Sequence, residues 1–585
     1  MSGNEPERRG RVVIIGGGIS GLAAAILLAR RYRRVTILER DVRRPAASPD
    51  DAFAHWERAG VPQFRHSHVF LARLFCVLRE RFPEVLELLR SNGALEVPLT
   101  VSLPPTLDLG PRERGDGELV LLGCRRAAFE WALAEVARRT RGVEFREGVF
   151  VEGLVASRRS RRAMDGKGAA RPRVVGVRFR ELPPSDGDDA PGTIPWYPRS
   201  SRRRRPAASR EASPRRRTLR ADLVIDASGR RSRAGEWLAA IGATAPRERS
   251  VETGIFYFTR FYRLTGPRPP GATTGLVAGD VGWLKCATFP GDGNTFSITL
   301  GTSTEDRPLR ALAKPAVFEA VIAAFPQLAI WRARGISKPI DGARTPVLVM
   351  GGLSNRASSF VRQGKPLADG FLAIGDAVYH TNPIYGRGAT CALLSAIALD
   401  DALARHPRDF AAAAMAYADR TRADIKPFWD SAAAADQLAS QRAAGDGRSS
   451  GAALLAPWSW LQDPRQWIGA LGERAVGLYL DQGLLPASRS DGLVYRAVMR
   501  VMNMLDEPAK GLFAPAVVGR VLPFIARSLT LGRPPNPFSG PTRAAALEII
   551  AGARKRDRAG SGKRKPASSA SPTTAGEPVP ALGQA

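Results

Sequence analysis

Residues 12–15 form a short apolar run that closes on Gly16, Gly17 and Gly18, and residues 34–38, RVTIL, form a second. Between them residues 19–31 are rich in Ala and Leu, with no helix breaker after Gly21. A short apolar run ending in glycine marks a strand buried on both faces, and an Ala/Leu stretch marks a helix. The pattern therefore predicts one strand–helix–strand unit with parallel strands. Residues 41–60 carry no period and are expected as loop, and residues 69–90 as helix. RRAAFEWALAEVARR (125–139) puts Phe129, Ala132, Leu133 and Val136 on one helical stripe. Strands are expected in VEFREGVFVEGLVA (143–156), VVGVRFRE (174–181), LRADLVIDASG (219–229) and GFLAIGDA (370–377). The aromatic and β-branched runs GIFYFTRFYRL (254–264) and NTFSITLG (294–301) predict a mixed or antiparallel sheet. Ala-rich helices follow over 389–405 and 409–444, and 450–550 reads as mostly helical.

The pattern fails over 181–218, which is dominated by Pro, Ser, Gly and Arg. Such a stretch buries too little to order itself, so a disordered insertion is expected there, and a disordered tail over 551–585. Both segments change the meaning of the charge. A formal net charge of +31 invites a nucleic-acid partner, yet more than half of it falls within residues 157–220 and 551–585. SRRRRP (201–206) and GKRKP (562–566) thus read as solvated charge runs, and nucleic acid is not an expected partner. With 44% hydrophobic residues and a mean hydropathy of −0.17, the rest of the 585-residue chain can bury a large core. No apolar run reaches the ~18 residues of a transmembrane segment. The start, MSGNEPERRG, has no apolar leader stretch. Cys76, Cys124, Cys286 and Cys391 are scattered without a CxxC pair, which argues against a disulfide framework or a zinc site and fits a cytoplasmic protein.

The chemistry starts at Gly16-x-Gly18-x-x-Gly21, which follows a strand and opens a helix. The first glycine permits the tight turn, the second lets backbone approach a pyrophosphate, and the third lets helix pack on strand. The helix start offers free N–H groups to phosphate. Glu39 ends the second strand, where a carboxylate accepts from both ribose hydroxyls and repels a 2′-phosphate. Two later segments have the same strand-into-tight-turn form. One is ADLVIDASGRRSRAGEWLAAIG (221–242). The other is DGFLAIGDAVYHTNPIYGRGATCALLSAIALDDAL (369–403), which carries Gly375-Asp376, then Asn382-Pro383, then Gly386-x-Gly388 at a helix start. Asp376 at a strand end accepts from ribitol or ribose hydroxyls, and the helix start offers N–H donors to the pyrimidine edge of a flavin. A plain NAD dehydrogenase needs neither segment.

With these three ordered motifs, residues 10–440 resemble the FAD-dependent oxidoreductases of the p-hydroxybenzoate hydroxylase-like superfamily. GVPQFRHSHVFLARL (60–74), DASGRRSR (226–233), TNPIYGRG (381–388) and DQGLLPASRSDGLVYRAVMRVMNMLDEP (481–508) look like the bacterial FAD-dependent monooxygenases and epoxidases of secondary metabolism, extending the likeness to about residue 540. The resemblance implies an α/β fold: a Rossmann-like FAD-binding lobe (10–180, 219–249 and 366–445) interleaved with a mixed-sheet substrate lobe (250–365), and a helical C-terminal region (446–550). It implies that Gly16, Gly18 and Gly21 hold the FAD pyrophosphate, Glu39 the adenosine ribose and Arg126 the phosphate or ribityl chain. Asp226 and Gly229 fall in the second motif and Gly375 and Asp376 in the third, while Pro383, Gly386 and Gly388 border the isoalloxazine.

The implied activity is epoxidation or hydroxylation of an apolar small molecule by O2, through a flavin C4a-hydroperoxide. An FAD-dependent dehydrogenase or reductase acting on C–C bonds is the nearest alternative. An FAD-containing protein that binds polyanions or membrane surfaces is the alternative from another class. The family's Ala-Asp-Gly is Ala227, Ser228 and Gly229 here, and there is no second GxGxxG for a separate NADPH domain. NAD(P)H is therefore expected to act at a transient site or through a partner flavin reductase. Candidate catalytic residues are Arg65 and His66 beside the flavin, and His380, Tyr385 and Arg387 in the loop facing it. His66 and His68 share a strand face but lack neighbouring acids, so no metal is expected. Gly282-Trp283 resembles the flavin halogenases without their Trp-x-Trp-x-Ile-Pro pattern, which disfavours Lys285 as a halogenase lysine. Phe256, Phe258 and Phe261 are expected to line the substrate pocket.

Overall fold

In a computed structural model, described over residues 10–101, 103, 106–157, 171–182, 216–269, 275–340, 345–445, 477–532 and 538–562, the chain builds a three-part α/β architecture. Residues 183–215 of the expected insertion and the tail from 563 lie outside the described residues.

The central element is a five-stranded parallel sheet in the order Phe371–Ala373, Leu223–Asp226, Arg11–Ile15, Arg34–Leu38, Val143–Arg146. Its strands come from four separated chain segments, 11–38, 143–146, 223–226 and 371–373, and strand order reverses across Arg11–Ile15. The helix Ile19–Leu28 packs on this sheet, against Gly388–Arg405 and Arg126–Arg139. Small side chains allow that close approach: Ala23, Ala24 and Ala25 face a partner carrying Ala389, Ala392 and Ala396, all buried. The opposite face rests on Val149–Ala156, Val174–Glu181 and the helix Ala234–Ala240.

A second sheet holds Val277–Asp280, Lys285–Pro290, Thr295–Ser303, Ile255–Leu264 and Ser337–Pro339, with Leu348–Met350 pairing Ile255–Leu264 off this path. Every pairing described in it is antiparallel, so the sheet is antiparallel rather than mixed. Its outer face buries Phe258, Tyr262, Phe296 and Ile298 under the helix Pro315–Ile322. The C-terminal helices Gly492–Met502 and Pro515–Leu531 pack with the helical stretch Tyr479–Leu484 around Leu480, Leu484, Val498 and Val521. Among the described residues no helix is long and apolar enough to cross a membrane.

Several expectations are corrected. Residues 41–60 contain a helix, Pro49–His55, because Ser48 accepts from the Asp51 N–H and Pro49 suits the first helical position. The expected helices over 69–90 and 409–444 each break in two, before Pro83 and at Ile425. Residues 216–218, placed in the insertion, are the start of a strand paired with Val174–Glu181. Residues 551–562, placed in the tail, continue the helix Arg543–Gly562; Ala546, Ile550 and Ala553 recur at helical spacing and are buried, and this helix packs on Pro315–Ile322.

Candidate functional site

A continuous cavity of about 650 Å³ opens at the carboxyl end of the parallel strands, where Ile15, Leu38 and Ala227 line it. This is the crevice that a reversal of strand order creates. Its wall runs from Gly16, Gly18 and Ser20, past Ser228 and Gly229, to Asp376 and Gly388. The three motifs, hundreds of residues apart in sequence, thus share one space.

Each motif glycine has its own geometry. Gly16 turns at φ +103°, and a Cβ there would stand 2.6 Å from the Ala227 carbonyl oxygen. A Cβ on Gly18 would meet nothing within 4 Å, because that face looks into the cavity. A Cβ on Gly21 would run into the Gly16 carbonyl; this glycine serves helix packing and does not line the cavity. Gly375, at φ +61°, likewise stays outside: its N–H donates to Ser395 Oγ at 3.0 Å, and a side chain there would strike Ser20 Oγ. The helices starting at Ile19 and Gly388 both begin at the cavity with no side-chain cap and no acid in the first turn. Two sets of free N–H groups therefore face the cavity.

Glu39 sits on the wall. Its carboxylate accepts from the Gly17 N–H at 2.7 Å and the Asp41 N–H at 2.9 Å, and Arg58 approaches at 3.4 Å. Burial alone would push Glu39 up, but Arg58, Arg43 and the two N–H bonds outweigh it and hold the carboxyl below its ordinary range. Asp376 meets His380 Nδ1 at 3.2 Å. Burial would push Asp376 up too; His380, Arg126 and Arg230 hold it down. Arg126, first residue of its helix, reaches His68 Nε2 at 3.4 Å and Glu130 at 3.7 Å. His68 Nδ1 bonds the His66 carbonyl at 2.9 Å. His66 Nδ1 lies 3.2 Å from Thr259 Oγ1. Burial pulls His66 down to about 4; burial and Arg126 pull His68 down to about 3, so both rings are neutral near pH 7.

The loop before Gly388 is fixed from behind. Tyr385 donates to Asp436 Oδ1 at 3.1 Å, Asn382 Nδ2 donates to both Asp436 oxygens at 3.0 Å, and Tyr257 donates to Asn382 Oδ1 at 3.0 Å. Arg387 donates to the Phe428 carbonyl at 2.7 Å and lies over the Tyr385 ring at 5.0 Å. His380, Pro383, Tyr385, Gly386 and Arg387 all line the cavity.

Three expectations change here. Arg65 turns away: its guanidinium donates to the carbonyls of Phe53, Ala54 and Trp56, and it does not line the cavity. Asp226 is fully buried and accepts from the Ser228 N–H and from the hydroxyls of Ser228 and Ser232, so it shapes the turn from beneath. On the strand Ile255–Leu264, Phe258 enters the outer core with Phe256 packed against it, Phe261 sits edge-on to Phe53, and it is Tyr257 and Thr259 that line the cavity. Sequence reading missed Arg58 and Asp436, whose roles come from ion pairs and hydrogen bonds across distant segments and leave no local signal. It also missed Ser20, in the first turn of the helix Ile19–Leu28, and Thr259, which strand alternation alone could place on either face. Among the described residues no cluster of three or more His, Cys, Asp or Glu is built to hold a metal ion.

The wall suits a long dinucleotide. Two uncapped helix starts, an open glycine face, two carboxylates held ionised, and the buried unpartnered atoms Arg126 Nε and His380 Nε2 match phosphates, ribose and ribitol hydroxyls, and a heterocycle edge. Residues 11–56 match the protein-family model described as FAD dependent oxidoreductase. "Protein Rv3254" of Mycobacterium tuberculosis (strain ATCC 25618 / H37Rv) is 29% identical over 422 residues, 68% of this chain and 73% of that protein. Among solved structures, a triple mutant of the flavin-dependent brominase Bmp2 is similar over 89% of this chain and all of its own, at 15% identity and a TM-score of 0.50. CmlS, a flavin-dependent halogenase, is similar over 90% of this chain and 78% of its own, at 17% identity and a TM-score of 0.50. These structural likenesses concern the fold. The matched segment marks an FAD dependent oxidoreductase domain at the start of the chain, and the structural likenesses add a fold shared with flavin-dependent enzymes.

Proposed function

We propose that this chain is an FAD-dependent monooxygenase that hydroxylates or epoxidises an apolar small molecule in secondary metabolism. The observation that carries the reading is the continuity of the cavity. It passes from the glycine turn at Gly16 to the helix start at Gly388, and on to walls made by Leu99, Leu121, Leu276, Ala287 and Phe289. FAD, when bound, supplies the redox chemistry with O2, its electrons coming from NAD(P)H directly or through a flavin reductase. The chain's residues supply the rest. Gly16, Gly18 and the N–H groups of residues 18–20 bind the pyrophosphate. Glu39 orients the adenosine ribose. Arg126 and Asp376 orient the ribityl chain. Pro383, Gly386 and the start of Gly388–Arg405 border the isoalloxazine, with the dipole of that helix favouring negative charge at the pyrimidine edge. The apolar walls exclude water from the reacting carbon. His66, neutral and bonded to Thr259, accepts or returns a proton at its free ring nitrogen.

In this reading the FAD-binding lobe spans 10–180, 219–249 and 366–445, and the substrate lobe 250–365. The protein works in the cytoplasm. The test is to load purified protein with FAD, reduce it without oxygen using NADH or NADPH, and mix it with oxygenated buffer in a stopped-flow cell. A monooxygenase consumes O2 and returns to oxidised flavin in two resolved phases. Full reduction followed by negligible O2 uptake overturns the reading in favour of a dehydrogenase or reductase acting on C–C bonds.

A further inference from the structure

The far wall of the cavity holds one cation whose role the reading above leaves open. The lining there is apolar, with Leu485, Met499 and Met502 from the C-terminal helices. Arg489, just beyond the turn Leu485–Ala487, lines the same space and is half-buried. Its backbone is anchored: its N–H donates to the Pro486 carbonyl at 3.1 Å, and its own carbonyl accepts from the Thr106 hydroxyl at 2.9 Å. Its guanidinium, in contrast, pairs with no acid among the described residues. Burial pulls it below the ordinary arginine range.

The other cations of the cavity wall are committed or belong to the flavin motifs. Arg40 faces Asp41 at 3.4 Å, Arg58 faces Glu130 at 2.8 Å, and Arg126 faces Glu130. Lys285 is paired with Asp280, Arg233 with Glu236, and Arg387 donates to a carbonyl. Arg230 and Arg231 stand on the Gly229 turn, where Asp376 acts on Arg230. A half-desolvated guanidinium in an apolar wall is costly until an anion joins it. Its planar fork takes a carboxylate with two parallel hydrogen bonds.

We propose that Arg489 is the anion-recognition point of the substrate chamber, and that the substrate class is an apolar carboxylic acid. The carboxylate pairs with Arg489 while the hydrocarbon body lies along Leu485, Met499, Met502 and Leu276. This rests on the monooxygenase reading only in calling the chamber's occupant the substrate; the binding preference itself needs no turnover.

The test uses the full-length, FAD-loaded protein and two matched pairs of probes, 2-naphthoate with 2-naphthamide and 4-phenylbutyrate with 4-phenylbutan-1-ol. Binding is read by equilibrium dialysis and by perturbation of the flavin absorbance. The acids should bind about ten- to a hundredfold more tightly than their neutral partners. Arg489→Met should abolish that preference and leave the neutral probes' affinity unchanged, which also shows that the variant is folded; Arg489→Lys should keep part of it. Equal binding of acid and neutral probes, an unchanged preference in Arg489→Met, or no binding of either acid to FAD-loaded protein overturns the proposal. Failure to retain FAD, with the acid preference intact by dialysis, would sink the flavin reading instead.

Discussion

Gly18 and Gly21 stand three positions apart in one turn, and the same small change should do opposite things to them. A methyl on Gly18 projects into open cavity, so Gly18→Ala should fold and melt like the parent. It should lose FAD, because the methyl occupies the path of the pyrophosphate. A methyl on Gly21 collides with the Gly16 carbonyl, so Gly21→Ala should lose stability, by roughly 1–3 kcal/mol, whether or not flavin is present. Flavin absorbance per protein and apo-protein melting temperature separate the two; a Gly18→Ala protein at full flavin occupancy would refute the assignment. Spacing predicts this division of labour, since the glycine roles follow from the turn. Orientation is less legible at this scale. Arg65 and Asp226 lie at the expected places in the chain, yet one is taken up by three carbonyls and the other by two serines. Whether a polar side chain faces a cavity or its own backbone depends on neighbours that the local sequence does not contain.

Elements carry the next layer, and the helix Lys426–Gly445 is the informative one. Its Asp436 gathers hydrogen bonds from Asn355 at 2.6 Å, from Asn382 and from Tyr385, and so clamps the loop before Gly388 from behind. Burial pushes Asp436 up to about 6, against the pull of those three partners. The unfolded chain sheds this proton near its ordinary 3.8, while the native state keeps it to about 6. The native state therefore binds more protons in that window, and stability falls as pH rises through it, by about 3 kcal/mol for a shift of some two units. Asp436→Asn removes the titration. The stability advantage of wild type over Asp436→Asn should shrink by most of that amount between pH 4 and pH 7, as read from denaturant midpoints; a constant difference would show that Asp436 keeps an ordinary pKa. Comparing two proteins cancels the opposite contribution of His66 and His68, whose lowered values make stability rise with pH over the same range. Aromatic and β-branched content announced the strand Ile255–Leu264 but not its facing. Its Phe258 is claimed by the core under Pro315–Ile322, leaving Tyr257 and Thr259 to the cavity. A strand between two apolar layers gives both faces hydrophobic residues, so period alone cannot choose.

Across the whole molecule, the parallel sheet was readable because three of its strands, Arg11–Ile15, Leu223–Asp226 and Phe371–Ala373, each run into a glycine turn, and the order of strands then places those turns together. The C-terminal helices were readable as helices only; that they form a wall of the same cavity depends on contacts spanning nearly four hundred residues. Arg496 makes the decisive one. Its guanidinium grips both Asp116 oxygens, at 2.8 and 2.9 Å, and donates to the carbonyls of Leu109 and Pro111, while the adjacent Tyr495 hydroxyl donates to Leu99. The Arg496 bonds hold the Asp116 carboxyl below its ordinary range. Arg496→Met takes the cation from Asp116, which keeps the Glu113 N–H, at a cost of about 1–3 kcal/mol. The loss should be local. Nothing in this anchor touches the glycine turns, so FAD retention should persist while limited proteolysis opens cleavage sites within 477–532. The Arg489-dependent preference for 2-naphthoate should weaken in step, because the wall that presents Arg489 is no longer held. Were flavin to leave as readily as the naphthoate preference, the helices would be holding up the dinucleotide half of the cavity too, and the division between a flavin side built by the sheet and a substrate side closed by the helices would not stand.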